Sequence, residues 1–428
     1  MNHPDTNATV IAAERPPALS VSLVLSVFLP FAAGYFLSYL FRTINAVIAP
    51  DLVADAGLSA SALGLLTSVY FLAFALLQLP LGLVLDRFGP RKVAAGLLLV
   101  AALGSLVFAL AQGAAGLTVG RALIGAGVSC CMMASFKAFA LWFPPRRLPL
   151  VNGCLLACGA LGALAATAPT QWLLGMSGWR ALFVGLALAT LLAAVAVHRF
   201  VPEHDEAPGH VSLRAQLAGL GGIFRDPVFW RVAPVAAISS GASQSVLGLW
   251  AGPWLRDVVG LGRVEIADHL LISAAAMGVG FLTMGALTER LSRAGIKPLW
   301  VVGGVMSGFM LMLAVLAAGV TAQLSWLLIG LGFLATGASL NYALLSQHFG
   351  RQLAGRANTA LNLLVFVAAF AMQWAVGVVI GWWEDPLTQQ YAAVGYRVAF
   401  GSLAGMQALA LLWLVGRGGD IEGGEYAR

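Results

Sequence analysis

Arg42 stands about 12 Å inside one end of the apolar run 20–49, at 1.5 Å rise per residue. With Tyr35, Ser38 and Asn45 it makes a polar stripe spaced three, four and three residues apart, which is one face of a helix aimed at water or at a ligand. A guanidinium offers a forked donor set that matches carboxylate or phosphate. The competing reading is an arginine that snorkels to the membrane surface, although its depth strains the reach of the side chain. Arg121 and Lys137 share another apolar run, 115–142, but are turned roughly 160° from each other at 100° per residue, so they cannot face one cavity. Lys137 either meets an anionic solute from the inner side or snorkels; Arg121 stands near the outer end, where an arginine can snorkel to the interface.

A second cluster is Gly82-Leu-Val-Leu-Asp86-Arg87-Phe-Gly89-Pro-Arg91-Lys92, between two apolar runs. Gly82 and Gly89 let the chain turn, and Pro90 stops a continuing helix. Asp86 needs a donor partner at a membrane boundary, either an arginine or a helix N-terminus. These residues read as a latch.

The elements that position both clusters are membrane helices. Hydrophobic residues make up 60% of the 428 and charged residues 10%, with a mean hydropathy of +0.88, which excludes a water-soluble globule. The net charge of +6 and pI of 9.4 come from basic residues scattered in ones to threes through short loops. No basic helix or stripe points to nucleic acid. Cys130, Cys131, Cys154 and Cys158 lie in apolar runs without a histidine nearby, so they read as small apolar fillers; no metal or other cofactor is expected. The first apolar run exceeds a signal-peptide core and no small-residue cleavage site follows it, so it is expected to stay.

Twelve segments reach spanning length: 20–49, 59–84, 91–112, 115–142, 149–172, 180–200, 230–253, 266–289, 297–318, 323–347, 355–382 and 396–416. The long polar stretch from Pro202 to Pro227 divides them six plus six, giving bundles 1–200 and 230–428 with a linker 201–229. With both termini in the cytoplasm, most of the 24 lysines and arginines fall inside, including Arg15, Arg417 and Arg428, and only Arg180, Arg256, Arg263 and Arg397 fall outside. The halves echo each other. Gly285-Ala-Leu-Thr-Glu289-Arg290 repeats the glycine, acid and arginine of Gly82, Asp86 and Arg87, and Asn358 repeats Asn152.

The spacing Gly-x-x-x-Asp-Arg-x-Gly-x-Arg-Lys resembles the signature between helices 2 and 3 of the major facilitator superfamily. Arg121-Ala-Leu-Ile-Gly125 resembles that family's Arg-x-x-x-Gly motif in helix 4, which implies that Arg121 contacts helix 1 or tunes coupling, and Gly178-Trp179-Arg180-Ala-Leu-Phe183 resembles its connection from helix 5 to helix 6. The resemblance implies an all-α polytopic membrane protein: twelve transmembrane helices in two pseudo-symmetric six-helix bundles, a solute site between them at mid-membrane, and alternating access. Segments one, four, seven and ten would line the path. When the outer side is open, Asp86 and Arg87 would lock the cytoplasmic side, with Asp86 facing the N-terminus of segment eleven near Gly355 and Arg356.

The context of Arg42 also resembles helix 1 of branches that carry organic anions, but the second arginine that organophosphate exchangers use in helix 7 is missing here. The helix 5 pattern of drug–proton antiporters is missing too, which leaves drug efflux as the alternative. The segment interiors hold no aspartate or glutamate, and His269 and His348 lie near opposite faces. This favours uniport or exchange of an anionic or zwitterionic solute, with protons as the optional coupling ion. Further cavity candidates are Gln244, Trp250, Asn341 and Asn362, with Tyr70, Gln78, Trp254, Tyr342 and Gln373; each could instead bond a neighbouring helix. Met132, Met133, Phe136 and Phe139 read as packing. An enzyme is not expected, because no nucleophile, base and orienting group occur together. A transporter-like sensor is the rival from another class. The chain is expected to be a monomer in the inner membrane, with a small solute and lipid as its partners.

Overall fold

In hydrocarbon every backbone N–H and C=O must be satisfied within the chain, so apolar runs of this length become helices. The computed structural model describes residues 21–203, 221–383 and 391–416. Arg15, most of the linker 201–229, Glu384, Asp385, Arg417 and Arg428 lie outside them. Eleven helices among these residues are long and apolar enough to cross a membrane. They are α1 (Val21–Thr43), α2 (Ala60–Leu110), α3 (Ala114–Trp142), α4 (Pro145–Ala165), α5 (Ala168–Phe200), α6 (Pro227–Val259), α7 (Arg263–Arg293), α8 (Pro298–Ala317), α9 (Leu324–Gly350), α10 (Leu353–Gly381) and α11 (Ala393–Gly416). At 51 residues α2 is too long for one crossing and breaks at Gly89, where φ is 75° and ψ 161°. Its two arms bring the number of crossings to twelve. The fifth crossing runs from α4 into the start of α5, and Gly178 (φ 72°) separates it from the sixth.

The glycines with positive φ carry the internal repeat further than the motifs do. Gly57 (φ 59°) ends the helix that extends the first crossing, and Gly260 (φ 80°) ends α6 at the matching place in the second half. Gly89 (φ 75°) and Gly295 (φ 87°) make the next pair of turns. A left-handed residue costs glycine nothing, so each pair fixes where the chain reverses. Gly82 is different: it lies inside the helix and takes no part in the turn expected of it.

Close helix packing repeats as well. A Cβ at Gly125 would overlap the carbonyl oxygen of Tyr70, and a Cβ at Gly332 would overlap that of Ser273. These are fourth-against-second and tenth-against-eighth contacts, made close by small residues as membrane bundles require. Arg121, one turn before Gly125, is fully buried and donates through Nη1 to the Phe41 carbonyl at 3.1 Å. Its guanidinium lies 5.0 Å from the Tyr70 ring centroid. It therefore ties α3 to the first helix and does not snorkel. Leu76, Leu282, Trp326 and Leu412 stand exposed on the outer surface, as lipid contact demands.

Candidate functional site

A cavity of about 880 Å³ lies between the halves. Its wall draws on α1, the first arm of α2, α3, α4, α6, α7, α9 and α10, while α8 and α11 contribute no residue to it. The second, fifth, eighth and eleventh crossings thus join the four expected ones.

Arg42 reaches this cavity from the end of α1. Its guanidinium carbon lies 4.6 Å from the Tyr39 ring centroid, 5.1 Å from that of Phe366 and 5.5 Å from that of Phe74. The rings hold the cation through their faces. Nε is buried without a hydrogen-bond partner, and no carboxylate pairs with Arg42 among the described residues. Tyr35 and Ser38 line the cavity with it. Asn45 does not: the chain bends at Ile44, and Asn45 is buried in the packing beyond.

One helical turn from Phe74 and Phe366 the two halves share a polar chain. Asn362 Nδ2 donates to Gln78 Oε1 at 3.0 Å, and the Tyr342 hydroxyl donates to Asn362 Oδ1 at 2.9 Å. Gln244 also lines the cavity. Besides Asn45, the expected members Trp250 and Asn341 are absent from its wall, as are Tyr70, Trp254 and Gln373. Trp250 is fully buried, its indole N–H donating to the Gln373 carbonyl at 3.0 Å, because the small Gly64 and Gly377 leave room for a large ring there. Asn341 is buried and donates to the Ala338 carbonyl of its own helix at 3.0 Å. Phe74 and Phe366, which frame Arg42, were missed by sequence reasoning, since a phenylalanine in an apolar run carries no contrast with its neighbours. Met132, Met133 and Phe136, expected to be packing, lie on the cavity wall.

The mouth lies at the Gly89 end, where Asp86, Gly355 and Arg356 belong to the lining. Lys137 is not a cavity residue: its Nζ meets Asp86 Oδ1 at 2.6 Å and the Leu85 carbonyl at 3.0 Å. With the mouth open, Asp86 takes this ammonium as its partner; the contact expected with the helix end near Gly355 belongs to the state in which this end is closed. Arg87 lies over the Phe88 ring at 5.2 Å. Arg91 Nε donates to the His198 carbonyl at 2.8 Å, and Lys92 pairs with Glu203, whose carboxyl it holds below the usual range. In the second half Glu289 pairs with Arg293 on its own helix; Gly285, Glu289 and Arg290 are exposed and absent from the cavity wall.

The opposite end is shut. A Cβ at Gly252 would overlap the Ala46 carbonyl oxygen, so α6 sits directly on the extension of α1. Arg263 Nη1 meets Asp51 Oδ1 at 2.8 Å across the halves, and Gln373 Nε2 donates to Thr67 Oγ1 at 2.9 Å. Nearby, Trp179 Nε1 donates to Asp55 at 2.8 Å; that bond and the ion pair with Arg180 lower the Asp55 carboxyl pKa. His269 and His348 both lie off the cavity wall, and His348 faces Asp226 at 3.1 Å.

Fold and site together define a polytopic membrane protein with one deep cavity between two repeated halves, open at one end. The chain belongs to the Major Facilitator Superfamily, whose sequence profile matches residues 31–373. A protein of Agrobacterium vitis named for tartrate transport is 24% identical over 294 residues, covering 64% of this chain and 65% of that one. The hexuronate transporter of Escherichia coli (strain K12) is 25% identical over 277 residues, covering 61% and 64%. These matches span less than two thirds of either relative's length. The crystal structure of a D-xylose–proton symporter superposes with a TM-score of 0.72 over 93% of this chain and 99% of that one, at 17% identity, a likeness of fold.

Proposed function

We propose that the protein is a secondary transporter that carries a small organic anion across the inner membrane by alternating access, as a uniporter or an exchanger. The observation that carries this reading is Arg42: a cation open to the cavity, framed by rings and without an acidic partner among the described residues. A buried cation without a counter-ion is costly, and an incoming carboxylate supplies one. Among the described residues the only acidic one on the cavity lining is Asp86, and Lys137 already holds it. That favours an anion over a zwitterion, whose ammonium would find no partner. With no histidine and no other carboxylate on the lining among the described residues, no described group there is suited to carrying a proton through the cycle. The tartrate and hexuronate relatives are named for acidic solutes, which agrees with this reading.

The moving parts would be residues 1–200 and 230–428, joined by 201–229, in a protein that works as a monomer. The excess of lysine and arginine at the Gly89 end supports a cytoplasmic position for the open mouth and both termini. The test is uptake into proteoliposomes. Arg42→Ala should cut transport of an anionic solute on the order of 100-fold or more, as loss of a buried charge-assisted bond implies. Arg42→Lys should restore only part of it. Uptake that survives Arg42→Ala, or that requires an imposed pH gradient, would refute the anion-holding role or the uncoupled cycle respectively.

A further inference from the structure

The cavity wall is divided by chemistry. Its polar side comes from α1, α2, α6, α9 and α10, with Tyr35, Arg42, Gln78, Gln244, Tyr342 and Asn362. The other side comes from α3, α4 and α7 and presents Met132, Met133, Phe136, Leu156, Met277 and Phe281. Two polar side chains interrupt it. The Thr167 hydroxyl donates to the Leu164 carbonyl at 2.6 Å, and Ser273 Oγ is buried out of reach of the cavity. A solute hydroxyl pressed against this side would lose its water without gaining a partner. The charge count points the same way. Among the described residues Arg42 and Arg356 are the only cations on the lining, and Arg356 lies at the mouth beside Gly355, so one described cation serves the depth of the cavity.

We infer that the solute is a monocarboxylate with an apolar body of about the size of an aromatic ring: the carboxylate against Arg42, the body against the methionine and phenylalanine side. This rests on the anion reading above and departs from the hydroxylated or dicarboxylic solutes for which the two relatives are named. Thioethers suit the task, because they are polarisable, adjust to a ring without a fixed shape, and contact ring edges favourably. A cavity of about 880 Å³ is also wide for a four-carbon acid and within the range that takes a larger ligand.

The experiment measures thermal unfolding of the full-length protein in detergent with phenylacetate, phenylacetamide, tartrate or galacturonate, since a ligand that binds the native state raises Tm by mass action. Phenylacetate should bind at least ~10-fold more tightly than tartrate or galacturonate. Tighter binding of either hydroxylated acid, or no shift with phenylacetate, overturns the inference and leaves the anion reading standing. Equal binding of phenylacetamide and phenylacetate instead removes the anion reading. Met277→Gln should reduce the phenylacetate-to-tartrate preference ~10-fold, whereas Met277→Leu should keep it. If both variants kept the wild-type preference, the methionine side would not select the solute.

Discussion

The two ends of the molecule are held by different kinds of contact. At the Gly57 end the halves meet backbone to backbone, with Gly252 on the Ala46 carbonyl, and one ion pair, Asp51 with Arg263, crosses the seam. At the Gly89 end the ion pairs among the described residues stay within a half: Asp86 with Lys137 in the first, Glu289 with Arg293 in the second. Shape closes one end, and charge borders the opening at the other. Close packing has two discrete arrangements and resists small openings, whereas a partly exposed ion pair can be exchanged at little cost. A rocking carrier needs both: a seam that seals fully in one state, and partners that can be traded when the mouth closes.

The sharpest way to break this comparison is to spoil the sealed seam. Gly252→Val places side-chain atoms where the Ala46 carbonyl lies, and overpacking of this kind costs about 1–3 kcal/mol. At 1.4 kcal/mol per decade, that moves the balance between the sealed and unsealed seam by roughly 5- to 150-fold. Transport should fall in proportion. A cysteine placed near Asp51 should become reactive to a membrane-impermeant reagent from that face, while the protein still elutes as a single species. An unchanged labelling rate would mean that the glycine contact does not hold the seam.

Smaller effects are expected at the pairs. Asp86→Asn leaves Lys137, with a quarter of its side chain exposed, without its carboxylate. Exposure of both partners limits their coupling to about 0.5–1 kcal/mol. A double-mutant cycle of Asp86→Asn with Lys137→Gln, read in transport rate, should show that non-additivity; additive effects would detach Lys137 from the mouth. Arg263→Gln removes the ion pair across the seam, whose partners are 55% and 22% exposed, so labelling near Asp51 should rise no more than about 5-fold. The rise should shrink in high salt, which already screens the pair in the unsubstituted protein.

Much of this was legible before any coordinates. The long apolar runs announced the crossings, and the recurring glycine, acid and arginine announced two related halves. Arg42, Tyr35 and Ser38 could be placed on one face because their helix is regular up to Ile44. Asn45 escaped that face because a local bend is invisible to a helical period. Lys137 and Asp86 could not be paired from sequence: their contact depends on how α3 packs on α2, which the glycines set and hydropathy does not encode. Trp250 and Asn341 were polar enough to be cavity candidates, yet each bonds a backbone carbonyl, an outcome that polarity alone cannot separate from lining a path.

The weakest expected effect is also the most direct check on the repeat. Glu289 stands where Asp86 stands in the first half, but its carboxylate is 64% exposed and bonds only along its own helix, to Arg293. Such an i, i+4 surface pair contributes about 0.3–0.5 kcal/mol to its helix and has no contact with the cavity. Glu289→Gln should therefore leave transport within about 2-fold of the unsubstituted protein, well below the effect of Asp86→Asn measured beside it. If the two substitutions were equally damaging, Glu289 would have to find a partner across the halves in another state of the cycle, and the asymmetry between the two motifs would belong to this conformation alone.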